Sequence, residues 1–121
     1  MKFLFRRGGP ARVTAVDAHR RTRDEGAVLL DVREPAEWAA GHAPGAVHTP
    51  LSALLAGADL PPTALGRSLI VICRSGHRSQ RAARVLTGRG AAAVDVEGGM
   101  NAWAAAGLPV VDDRGNSGLI A

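Results

Sequence analysis

Leu69-Ile70-Val71-Ile72 is an unbroken apolar run, three of its four residues β-branched, and the chain changes character at once on either side of it. Such a run reads as a short buried strand. From Ser79 onward Ala82, Ala83, Val85 and Leu86 recur at helical spacing, so strand gives way to helix across a brief polar loop. The alternation repeats along the chain. Strands are expected over residues 27–31, 46–49 and 92–96. Thr14-Ala15-Val16-Asp17 has the spacing of a helix capping box, Pro35 after Glu34 suits a first helical position, and residues 100–106 form a small helix ended by Gly107. Alternating strands and helices point to an α/β fold with a mainly parallel sheet. Trp38 and Trp103 read as anchors for its core.

At 121 residues the chain is sized for one domain. No apolar stretch approaches the ~20 residues of a membrane span, and the apolar core near Phe3 and Phe5 is too short for a signal peptide. A soluble, cytoplasmic protein with no membrane partner is expected. The single cysteine, Cys73, excludes an intramolecular disulfide and a cysteine-rich metal site, which agrees with a reducing compartment. His42 and His48 lack carboxylate or cysteine partners at ligand spacing, so they read as turn or packing histidines and no metal is assigned. The net charge of +4 invites a nucleic-acid reading. Against it, the arginines are scattered in small groups such as Arg6-Arg7 and Arg20-Arg21, and no Tyr is present to stack bases. The charge suits small anionic substrates better than nucleic acid.

Cys73 follows the strand directly and leads into Arg74-Ser75-Gly76-His77-Arg78-Ser79. Loop N–H groups, the positive end of the following helix, and Arg74 and Arg78 would all favour a thiolate there. In open parallel sheets, sites form beyond the carboxyl ends of the strands. The loops after Asp31, Cys73 and Val96 can therefore converge, bringing Arg33, Glu97, Gly98 and Gly99 beside the cysteine. Asp31 can cap a loop or pair with an arginine. Arg33 has two readings, an ion pair with Glu37 or Glu97 and a substrate-facing position. Gly98 and Gly99 read as backbone freedom near the Cys73 loop, and His77 as a residue of its rim.

Four ordered segments carry a resemblance. Asp31-Val32-Arg33-Glu34-Pro35-Ala36-Glu37-Trp38, Gly41-His42-Ala43-Pro44-Gly45-Ala46, Cys73-Arg74-Ser75-Gly76-His77-Arg78-Ser79 and Glu97-Gly98-Gly99-Met100-Asn101-Ala102-Trp103 resemble the signatures of the rhodanese-like domain family of single-domain sulfurtransferases. The resemblance implies a central sheet of about five strands flanked by helices on both faces. It divides the chain into an N-terminal extension (residues 1–12), the domain (13–111) and a polar tail (112–121), of which residues 112–116 read as a loose end. It implies that Cys73 takes a sulfane sulfur from a small anionic donor such as thiosulfate or a low-molecular-weight persulfide. The sulfur then passes, through a covalent Cys73 persulfide and with no cofactor, to cyanide, a thiol or a protein acceptor. Arg74 and Arg78 would bind the sulfonate end of the donor, the N–H groups from Arg74 to Ser79 would hold the persulfide, and Asp31 would buttress Arg78 or the loop.

Two other functions compete. One is a sulfur carrier or interaction module with little turnover of its own. The other is a small phosphatase or arsenate reductase, whose loops resemble this one with five residues rather than four between Cys and Arg. The shorter loop suits a sulfur atom. A monomer or weak homodimer is expected, and residues 1–12 are left open between an edge strand, a docking segment and disorder.

Overall fold

The computed structural model describes residues 11–121 of the chain. Ten elements follow in order: β1 (Arg12–Val13), α1 (Ala15–Asp24), β2 (Val28–Asp31), α2 (Pro35–Ala40), β3 (Val47–His48), α3 (Leu51–Leu55), β4 (Leu69–Ile72), α4 (Arg78–Gly88), β5 (Ala93–Val96) and α5 (Gly99–Ala105). The strands form one sheet in the order β1-β5-β4-β2-β3, with every neighbour parallel. Parallel neighbours need crossover connections, and the helices supply them. This is the expected α/β architecture with five strands. Its edge strand β1 uses Arg12, from the segment left open above; Met1 to Pro10 lie outside the described residues.

Strand β4 sits mid-sheet, and all four of its residues are buried. Successive side chains of a strand point to opposite faces. Leu69, Val71 and then Cys73 therefore join the cluster with Leu51, Leu54, Ala82, Ala83 and Leu86 under α3 and α4. Ile70 and Ile72 join Val13, Ala18, Val96, Met100 and Trp103 under α1 and α5. The alternation that builds the core thus also aims Cys73 at the start of α4.

Local signals behave as elementary chemistry dictates, with three departures. The Thr14 hydroxyl accepts the Asp17 N–H at 3.1 Å and caps α1, but the Asp17 carboxylate turns to Arg20 and Arg21 instead of closing the box. Trp103 is a core anchor, 2% exposed, with its indole N–H donating to the Pro109 carbonyl at 2.8 Å. Trp38 is not: it is only half-buried and lies parallel to the imidazoles of His42 and His48, with ring centroids 3.6 and 4.6 Å away. The third departure is the tail. Read from sequence as a loose end over residues 112–116, it doubles back, Asp112 Oδ1 accepting the N–H groups of Arg114 and Asn116. Leu119 N–H then donates to the Ala40 carbonyl at 2.9 Å, and Ile120 packs on the α1/α5 cluster. Gly41 allows this crossing, since a Cβ there would lie 2.3 Å from the Leu119 oxygen. Among the described residues no helix is long and apolar enough to cross a membrane.

Candidate active site

The loop from Cys73 to Arg78 joins the buried end of β4 to the first turn of α4. Cys73 is 1% exposed. The Gly76 N–H donates to its Sγ at 3.1 Å, which requires the left-handed turn that Gly76 makes at φ +99°. This is the one loop N–H that reaches Sγ, where the sequence led us to expect several from Arg74 to Ser79. The Ser79 hydroxyl lies 3.4 Å from Sγ.

The loop's backbone is fixed from below. Met100 N–H donates to the Cys73 carbonyl at 2.8 Å and Asn101 N–H to the Arg74 carbonyl at 3.0 Å. Such close approach leaves no room for a side chain at Gly99, where a Cβ would lie 2.3 Å from the Cys73 oxygen. The expectation that Gly98-Gly99 serves the Cys73 loop is thereby given a cause. Glu97 is exposed, and its side chain bonds nothing among the described residues; its backbone N–H closes on Val13.

The arginines are distributed differently from the reading of the sequence. Arg33 is fully buried and forks onto Asp31, Nε to Oδ1 at 3.0 Å and Nη2 to Oδ2 at 2.8 Å, with Nη2 also donating to the Gly41 carbonyl. It therefore faces neither substrate nor Glu37 nor Glu97, and Asp31 does not buttress Arg78. The reason is local: Asp31 Oδ1 also accepts the Arg33 backbone N–H at 3.0 Å, so the two residues close a tight turn that completes itself. Arg78 instead forks onto Glu37, at 2.7 and 2.8 Å. That guanidinium holds the Glu37 carboxyl down at about 2, well below its ordinary 4.5. The carboxylate in turn raises Arg78. Committed to Glu37, Arg78 is not a free ligand for a sulfonate.

Arg74, Arg81 and Arg84 are exposed and have no carboxylate partner among the described residues. They give the loop and the outer face of α4 an uncompensated positive edge. His77 is exposed, its Nδ1 3.3 Å from the Ser75 hydroxyl. His42 Nδ1 meets the Trp38 carbonyl and His48 Nε2 the Arg33 carbonyl, each at 2.7 Å. A cavity of about 550 Å³ touched by His19, Arg23, Val28 and Trp103 opens at the amino ends of the strands, opposite Cys73.

Two residues that sequence reasoning left out stand beside the site. Asp95, in β5, is fully buried and accepts the Ser79 hydroxyl at 2.7 Å; Arg12, in β1, forks onto Asp95 and donates to the Gly76 carbonyl at 2.9 Å. A signal existed for Asp95. A carboxylate inside the apolar run Ala93-Val94-Asp95-Val96 is buried only when paired. Nothing in the sequence named Arg12 as its partner.

A family model for the rhodanese-like domain matches residues 14–106. A rhodanese-related protein from Thermoplasma volcanium is similar in structure at a TM-score of 0.72 and 32% identity, covering 84% of this chain and 97% of that one. A Rhodopseudomonas palustris protein of unknown function, described as a possible tyrosine phosphatase, is similar at a TM-score of 0.71 and 25% identity, covering 91% and 98%. A thiosulfate sulfurtransferase from Pseudomonas aeruginosa shares the fold at a TM-score of 0.72 and 23% identity, over 94% of this chain and 22% of that one.

Proposed function

The chain belongs to the rhodanese-like domain family, and from that premise we propose that it is a sulfurtransferase carrying a sulfane sulfur on Cys73. The observation behind this reading is the Gly76 N–H aimed at Sγ at 3.1 Å, in a loop whose backbone α5 holds in place. A preorganised donor at that distance favours an anionic sulfur over a neutral one.

In the first half-reaction the Cys73 thiolate attacks the outer sulfur of a donor such as thiosulfate. A new S–S bond forms, the donor's S–S bond breaks, and sulfite leaves with the electron pair. In the second, a thiophilic acceptor, cyanide or a thiolate, attacks the outer sulfur of the Cys73 persulfide. It departs with that sulfur, and the electron pair returns to Cys73 as thiolate. Neither step consumes a proton at sulfur, so the site needs a buried anion cradle rather than an acid. Arg74, exposed in the loop and without a carboxylate partner among the described residues, receives the charged end of the donor. Arg78 acts through Glu37 as a brace between α4 and α2.

Phosphate-ester hydrolysis is the second reading, favoured by the likeness to the possible tyrosine phosphatase. The four residues between Cys73 and Arg78 and the engagement of Arg78 by Glu37 both speak for sulfur. Thiosulfate and cyanide incubated with the protein are expected to give thiocyanate, and Cys73→Ser to give none. Activity surviving that substitution, or aryl-phosphate hydrolysis in the absence of sulfur transfer, would overturn the proposal. Persulfide formation without turnover would instead identify a carrier.

A further inference from the structure

One ionisable cluster next to Cys73 has no part in the sulfur-transfer scheme. Asp95 has no exposed surface, and both its oxygens are engaged: Oδ1 accepts Arg12 Nε at 3.0 Å, and Oδ2 accepts Arg12 Nη2 at 3.1 Å and the Ser79 hydroxyl at 2.7 Å. A hydroxyl has one proton to donate. Ser79 gives its proton to Asp95, so the oxygen it presents to Sγ at 3.4 Å is an acceptor, matched to a thiol rather than to a thiolate. A buried carboxylate one hydroxyl away opposes ionisation of the sulfur by its charge. Arg12 opposes the carboxylate. Its Nη2 also donates to the Gly76 carbonyl, holding the residue whose N–H meets Sγ. Glycine suits this approach: Gly76 sits at φ +99°, and a Cβ on it would lie 3.0 Å from the Gly98 nitrogen and 2.9 Å from Arg12 Nη2.

We propose that Arg12 and Asp95 are positioning residues that set the balance between thiol and thiolate at Cys73. Asp95 orients Ser79 and Arg12, and Arg12 cancels the charge that would otherwise hold the sulfur protonated. The edge strand β1 is thus part of the active site. Among the described residues the other charges facing Cys73 are paired or solvent-exposed. Arg78 on α4 is paired with Glu37 of α2, with Glu34 beyond it, and Glu97 lies beyond Arg12. The Asp31–Arg33 pair at the end of β2 is neutral as a unit, and Arg74 and His77 lie in the exposed part of the loop. Among the described residues Arg12 and Asp95 form the remaining pair, and it meets Sγ through one hydroxyl.

This inference rests on the sulfur-transfer reading only in taking Cys73 as the reactive group, and its test needs no sulfur donor. With one cysteine and no tyrosine in the chain, the ultraviolet absorbance of the thiolate reports Cys73 without tyrosinate interference. The pH midpoint of that absorbance is expected to rise by about one unit or more in Arg12→Met, which leaves a buried carboxylate uncompensated. It is expected to fall in Asp95→Asn, whose amide oxygen still accepts from Ser79. It should return close to the starting value in the double variant, and Arg12→Lys should restore most of the Arg12→Met shift. A midpoint unmoved by Arg12→Met, or a double variant shifted as far as Arg12→Met alone, overturns the proposal. If Arg12→Met does not fold, Asp95→Asn decides: a lower midpoint supports the proposal, an unchanged or higher one overturns it. A protein that titrates as described yet forms no persulfide would sink the sulfur-transfer reading and leave this one standing.

Discussion

Asp31–Arg33 and Glu37–Arg78 are the same chemistry, a guanidinium forked onto a carboxylate, placed on either side of the turn into α2. Their surroundings differ. The first pair joins residues two apart and is sealed, with both side chains at 0% exposure; the second spans 41 residues and leaves its side chains 35% and 22% exposed. A sealed pair cannot let go, because an unpaired buried charge is far costlier than a solvated one. A rim pair can open to water at small cost. Burial rather than pairing therefore separates a sealed pair from a brace at the rim, and Arg33, which sequence reasoning offered as a substrate contact, is scaffold.

The sharpest way to break this contrast is to remove one carboxylate at a time. Asp31→Ala leaves Arg33 buried and unpaired and is expected to cost about 3–5 kcal/mol in urea unfolding, a large part of the stability of a domain this size. A loss under about 1 kcal/mol would show that the pair is not sealed. Gly99→Ala probes the backbone counterpart, since its Cβ collides with the Cys73 carbonyl. An overpacking cost of about 1–3 kcal/mol is expected, with sulfur transfer reduced more than tenfold as the loop shifts; full activity would mean that the loop does not need its seat on α5.

Glu37→Gln should cost least, about 1 kcal/mol or less at neutral pH. Its pH dependence carries a definite sign. The Glu37 carboxyl is held at about 2 against an ordinary 4.5, so the pair's contribution is complete above 4.5, fades as pH falls toward 2 and is gone below that. Melting curves of the two proteins should therefore differ by a constant amount near neutrality and converge in acid. A gap that widens in acid would contradict the assignment.

How much of this could be read in advance followed from how far apart the partners lie. Strand β4, Cys73, the turn at Gly76 and the start of α4 are contiguous, and an apolar run, one cysteine and a glycine announce them. Asp31 and Arg33 are nearly adjacent as well; a pairing with an arginine was open to Asp31, but Arg33 was read against Glu37, Glu97 or substrate. Sequence shows that a charge is present but not whether it is buried. Arg12 and Asp95 stand 83 residues apart and meet only because β1 pairs with β5. Trp38 was misread because aromatic bulk alone does not distinguish a core anchor from a ring stacked on two imidazoles. The tail was misread because its attachments are backbone hydrogen bonds across Gly41, which leave no pattern of apolar residues.

In the proposed reaction Cys73 accepts and releases one sulfur atom. Intact-mass spectrometry of the full chain after exposure to thiosulfate, and separately to glutathione persulfide, measures it directly. A single adduct of about 32 Da is expected, located on Cys73 and lost on addition of cyanide. A cysteine left unmodified by both donors would contradict it.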